Sequence, residues 1–217
     1  METDPFKAAG SRGTITPLLH SKLSFYRSRC AYESYYKDRR DSSPERRSLI
    51  RDDRRLRPPY SPLLVANRLV SPSYVSYSTA LHWHGLIPAG SGRVICSATS
   101  VGRSCERHYG VELYSYTLLP KAYFAIGCVQ LPVGSELCTI ATPEKALCDL
   151  ILGTRRLFLP TRSAVCSYLL ETLHIDEQNF RYLSPELIER CASVINKKQK
   201  DLLMLATFLN ELGYHLD

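Results

Sequence analysis

At 217 residues and 44% hydrophobic content, the chain can build one good core, with or without a small appended module. No run of about eighteen apolar residues occurs, so no membrane span is expected, and METDPFKAAGSRG lacks the apolar stretch of a secretory signal. The 28 Lys+Arg against 21 Asp+Glu leave a net charge of +7, which suits a polyanionic partner better than a basic one.

That charge is uneven. Residues 1–57 hold 14 Lys+Arg and 8 Asp+Glu, a net of +6; residues 58–217 hold 14 and 13, a net of +1. The first segment is poorly periodic. Leu18, Leu19, Leu23, Tyr26 and Cys30 mark one short helix, and Lys37 to Arg57 is mostly charge. Such a stretch buries too little apolar surface to offset its own ordering entropy. Arg39, Arg40, Arg46, Arg47, Arg51, Arg54, Arg55 and Arg57 are the candidate nucleic-acid contacts, since a guanidinium pairs with phosphate. Tyr32, Tyr35, Tyr36 and Tyr60 flank them as stacking groups. Interleaved Asp38, Asp41, Glu45, Asp52 and Asp53 favour internal pairing, and a solvated tail is the plain alternative. Arg57-Pro58-Pro59 is extended chain and marks the boundary between segments 1–57 and 58–217.

From Ser61 the pattern becomes regular. SPLLVANRLV predicts a short helix. Ser71 to Pro88 predicts a second. Pro72 and Ser73 serve as its start, Tyr74, Tyr77, Ala80 and Leu81 as its apolar face, Gly85 as a left-handed cap, and Pro88 as a stop. Val94–Val101, Val111–Leu119, Tyr123–Leu131 and Leu137–Ala141 read as strands from their β-branched and aromatic content. In IATPEKALCDLIL, Thr142 is an N-cap, Pro143 a first-turn residue and Glu144 a carboxylate at the positive helix end. Ala146 and Leu147 begin the inward stripe. Further helices are expected over Thr161–Thr172, from Ser184-Pro185 onward, and over Asn196–Leu212. Grouped strands followed by helices mean α+β, with a small, mostly antiparallel sheet packed by helices and a C-terminal helical segment.

Chemical motifs are sparse. His82-x-His84 lies on a predicted helix, where residues two apart face different ways, so a shared metal ion is not expected. Lys145 and Asp149 pair at i,i+4, a contribution of roughly a few tenths of a kcal/mol; Glu144 and Asp149 share no face. Ser97, Ser100, Ser104 and Cys105 are nucleophiles by type alone, with neither a G-x-S-x-G elbow nor a phosphate loop. No enzyme class and no cofactor follows. The eight cysteines form no C-x-x-C pair, and several sit in apolar runs as small hydrophobes, which fits a reducing cytoplasm.

SPLLVANRLVSPSYVSYSTALHWHGLIP (Ser61–Pro88), TSV (Thr99–Val101), YSY (Tyr114–Tyr116) and IATPEKALCDLI (Ile140–Ile151), in this order and spacing, resemble the AbiEi-type antitoxins. These are transcriptional regulators of type IV toxin–antitoxin and phage-defence operons. The first and last motifs carry the resemblance, which covers about Ser61 to Leu170. It implies a winged-helix N-terminal domain on promoter DNA and an α+β antitoxin domain. That domain counters a nucleotidyltransferase-like toxin without a stable complex. Residues 1–57 lack a clear wing, so a shortened or degenerate winged helix is expected there. The alternative reading is a protein-interaction module without DNA binding. Operator, toxin and oligomeric state are not fixed by the sequence.

Overall fold

The computed structural model describes residues 61–88, 94–110, 112–133 and 136–213. All of them belong to one compact unit, Glu45–Asp217. The architecture is α+β. Helix α1 (Pro62–Leu69) leads to strand β1 (Ser73–Val75) and helix α2 (Tyr77–Trp83). Next come β2 (Val94–Thr99), β3 (Cys105–Tyr109), β4 (Glu112–Leu118), the single turn α3 (Lys121–Phe124), β5 (Cys128–Val133) and β6 (Glu136–Ala141). Helices α4 (Pro143–Gly153) and α5 (Arg162–Ser167), a π-helical turn (Tyr168–Thr172), a 3-10 turn (Glu177–Tyr182), α6 (Pro185–Ser193) and α7 (Gln199–Gly213) complete it.

The six strands form one mixed sheet in the order β3-β4-β2-β1-β6-β5. β1 runs antiparallel to β2 and parallel to β6, with Tyr74 opposite Ala98 and Val75 opposite Ile140. β2 and β4 are parallel, Ser97 opposite Tyr116. β3 and β5 are the edges, each antiparallel to its neighbour. Glu106, Arg107 and His108 leave β3 exposed and charged, and Pro132 removes one N–H donor from β5, both ordinary protections of a free edge.

Strand alternation places a helix on each face. Ser73 and Tyr74 point oppositely. Ser73 Oγ donates to the Ala66 carbonyl of α1 (3.3 Å), and so does Tyr116 Oη (2.7 Å). Tyr74 instead reaches α4. The β1–β6 pair is thus enclosed between α1 and α4, and α2 packs against α4. Leu81, Leu147 and Ile151 are fully buried, each contributing about 1.5–3 kcal/mol of burial.

Cap chemistry follows the sequence at several points. Thr142 and Ser184 each accept from the backbone N–H three residues on, opening α4 and α6. Gly85 adopts φ 69°, and its N–H donates to the His82 carbonyl.

Other expectations are corrected. There is no helix from Pro72: Ser73, Tyr74 and Val75 are strand, and α2 begins at Tyr77. Ser73 is therefore not a cap, and Pro72 lends its carbonyl to Thr99 Oγ1 (2.9 Å). Tyr123 lies in a helical turn rather than a strand, and Cys105–Tyr109 forms an unanticipated strand. For the two strands, pairing with distant chain overrides the local pattern, whereas the Tyr123 turn is closed locally by the Tyr123 and Phe124 N–H groups donating to the Pro120 carbonyl. The basic segment 1–57 and its possible winged-helix character lie outside the described residues.

Candidate functional site

The densest polar cluster joins β1, α3 and α4. Asp149 projects from the buried face of α4 and is completely covered, as is Lys145 one turn earlier. Their charges approach to 3.3 Å, Nζ to Oδ1. Three hydroxyls donate to the same carboxylate: Tyr123 Oη to Oδ1 at 2.7 Å, Ser76 Oγ to Oδ2 at 2.6 Å and Tyr74 Oη to Oδ2 at 3.0 Å. The Lys145 ammonium donates to the Tyr123 carbonyl at 2.9 Å and lies over the Tyr123 ring, 2.9 Å from its centroid. The Tyr74 ring is farther, at 5.7 Å, and packs against Phe124 at 4.8 Å.

This corrects the reading of Lys145 and Asp149 as a weak helical pair. A buried ion pair loses hydration at both ends, and attraction alone rarely offsets that. Here the shortfall is met by hydrogen bonds to both ions. Burial first, then the Asp149 charge, pushes the phenols of Tyr74 and Tyr123 well above their ordinary range, so both remain donors to the carboxylate.

A thiol layer borders the cluster. Cys128, on β5, is pushed up to about 12, mainly by burial and against the pull of Lys145. Cys148, on α4, hydrogen-bonds toward Cys191, on α6. That bond lowers the Cys191 thiol, while burial raises Cys148. All the described cysteines are free.

Glu144 does lie in the first turn of α4, but it does more than complement the helix end. It is 3% exposed, and its Oε1 accepts the Ser184 N–H at 3.1 Å, fastening the start of α6 to the start of α4. Burial raises its carboxyl above the ordinary value. His84 is buried, with Nε2 2.8 Å from the Ala141 carbonyl, and His82 Nδ1 lies 3.3 Å from the Ile87 carbonyl. The two histidines thus engage different backbone segments. Among the described residues, no group of three or more His, Cys, Asp or Glu is placed to hold a metal ion.

Of the motif residues, Tyr74, Lys145 and Asp149 meet directly. Tyr77, Ala80 and Leu81 are buried on α2, and Ala146 and Leu147 on α4. Pro143 occupies the first turn of α4, while Pro88 is exposed where its stretch of described chain ends. The arginines Arg39 to Arg57 lie outside the described residues. Ser76 and Tyr123 were not singled out from the sequence. Ser76 stands within the first motif, but nothing local marks it as a carboxylate's partner, and Tyr123 lies in neither long motif. Chemically the cluster holds a charge pair rigidly; every member is at most 1% exposed. Among the described residues no helix is long and apolar enough to cross a membrane. No protein-family model, curated protein or solved structure matches this chain.

Proposed function

We propose that the chain is a non-enzymatic, antitoxin-like regulator that counters a nucleotidyltransferase-type toxin, with the basic segment 1–57 contacting promoter DNA. The observation that supports this reading is the meeting of its two long motifs at the Asp149 carboxylate. Residues that resemble the family motifs are thereby given a joint physical task, holding a domain together. On this reading the α+β unit corresponds to the family's antitoxin domain. The arginine-rich segment stands where the family has its winged helix, and the compartment is the cytoplasm.

Co-expression with a nucleotidyltransferase-type toxin encoded beside it is the test. Restored growth is expected from the full chain, without co-purification of the toxin. Unrelieved toxicity at matched expression contradicts the antitoxin reading. For the DNA contact, a promoter-fragment titration over a salt series is expected to show log affinity falling by about 0.9 per phosphate engaged for each tenfold rise in salt. An affinity insensitive to salt contradicts it.

A further inference from the structure

Outside the buried cluster, two turns lie side by side. One follows α4. There Arg155 and Arg156 are exposed, Arg156 in a left-handed conformation (φ 58°), and Phe158 is 69% exposed. The other joins α6 to α7, where Val194 is 39% exposed and Lys197 and Lys200 face solvent. Three hydrogen bonds tie the turns together. Lys198 Nζ donates to the Ile151 carbonyl (2.8 Å) and to the Thr154 carbonyl, and Leu159 N–H donates to Asp201 Oδ1 (2.8 Å).

These ties leave a surplus of positive charge. A cation just beyond a helix end ordinarily serves the terminal carbonyls. Lys198 does that for α4, so Arg155 and Arg156 are not needed there. Neither their side chains nor those of Lys197 and Lys200 make an ion pair or hydrogen bond among the described residues. Asp201 is 5% exposed and committed to Leu159, so it offers little compensation at the surface. Burying Phe158 would be favourable, yet it is the most exposed large hydrophobic side chain described.

We propose that this surface binds single-stranded nucleic acid, the four cations holding successive phosphates while Phe158 stacks on an unpaired base. The geometry favours a single strand over a duplex, whose base faces are already stacked. It also favours a strand over a lipid surface: one aromatic and a half-exposed valine offer little apolar area to insert. The proposal is independent of the antitoxin reading.

The test is fluorescence anisotropy of a labelled, mixed-sequence single-stranded DNA oligonucleotide with the full chain, its Phe158→Ala variant and an Arg155→Ala/Arg156→Ala variant. All three positions are exposed, and circular dichroism checks that each variant retains its fold. Phe158→Ala is expected to weaken the single strand about fivefold or more while leaving the matching duplex unchanged. The double variant is expected to reduce the salt slope by about 1.4, two phosphates at roughly 0.7 each. Variants that bind the oligonucleotide like the parent would overturn the proposal. So would unchanged oligonucleotide affinity combined with Phe158-dependent binding to phosphatidylserine vesicles, which would assign the surface to a membrane. Failure of toxin rescue leaves this result untouched.

Discussion

Ser76 Oγ donates to Asp149 Oδ2 across 2.6 Å, joining residues 73 positions apart in the chain. Ser76 sits immediately before α2, where a serine would ordinarily accept from the helix's own backbone. It makes no such cap bond. Its hydroxyl is turned instead to the carboxylate of α4, so the start of one helix is oriented by a charge on another. The Ser76 N–H donates meanwhile to the Cys96 carbonyl at 2.9 Å, fixing the same residue to β2. One serine thereby ties together helix, sheet and charge cluster.

Glu144 gives a stability–pH signature. Burial raises its carboxyl in the folded state above 4.5. The folded chain therefore holds this proton more tightly than the unfolded chain, and stability falls as pH rises from about 4.5 through the folded value. The cost is absent below that window and fully present above it. Glu144→Gln keeps an oxygen for the Ser184 N–H and removes the charge. Urea unfolding at several pH values is expected to show a smaller decline for the variant across this window, with stability at neutral pH equal to or above the parent's. Superimposable pH profiles would contradict the assignment.

Gly127 is a second point of leverage. It precedes β5 with φ 66°, and its carbonyl accepts the Thr142 N–H that opens α4, at 2.8 Å. A Cβ placed there would stand 2.9 Å from Lys145 Cβ, an atom held on the helix and unable to swing away. Gly127→Ala is therefore expected to cost about 1–3 kcal/mol in backbone strain alone, with the clash added. Denaturant unfolding checks it; a variant as stable as the parent would contradict the close approach.

What was legible in the sequence was local. Thr142 and Ser184 announce their helices because a cap needs only a side-chain oxygen three residues from an orphan N–H. The helices they open appear where expected. Ser73–Val75 was not legible. Its apolar spacing continues smoothly into Tyr77, Ala80 and Leu81, so the whole stretch fits a helical period. Only pairing with β2 and β6 makes it strand. Cys105–Tyr109 was hidden for the opposite reason: Glu106, Arg107 and His108 show no alternation, and the strand exists through its ladder with β4.

The candidate site divides in the same way. Lys145 and Asp149 were paired correctly from their spacing, but their burial was not foreseen. Nothing within one helix says that Tyr74, Ser76 and Tyr123 will close over it. A pair that looks minor by its spacing becomes central once water is excluded, because each ion then depends on its protein partners.

The most direct test of the account is a double-mutant cycle between Ser76 and Asp149, measured by urea unfolding of the parent, Ser76→Ala, Asp149→Asn and the double variant. Asp149→Asn alone is expected to cost about 3–5 kcal/mol, because it leaves the Lys145 charge buried without its counterion. If the hydroxyl donates to an ionised carboxylate across the core, the two losses fall short of additivity by about 1 kcal/mol, the difference between a charge-assisted and a neutral hydrogen bond. Losses that add to within about 0.5 kcal/mol, with Asp149→Asn costing no more than a surface substitution, would contradict it.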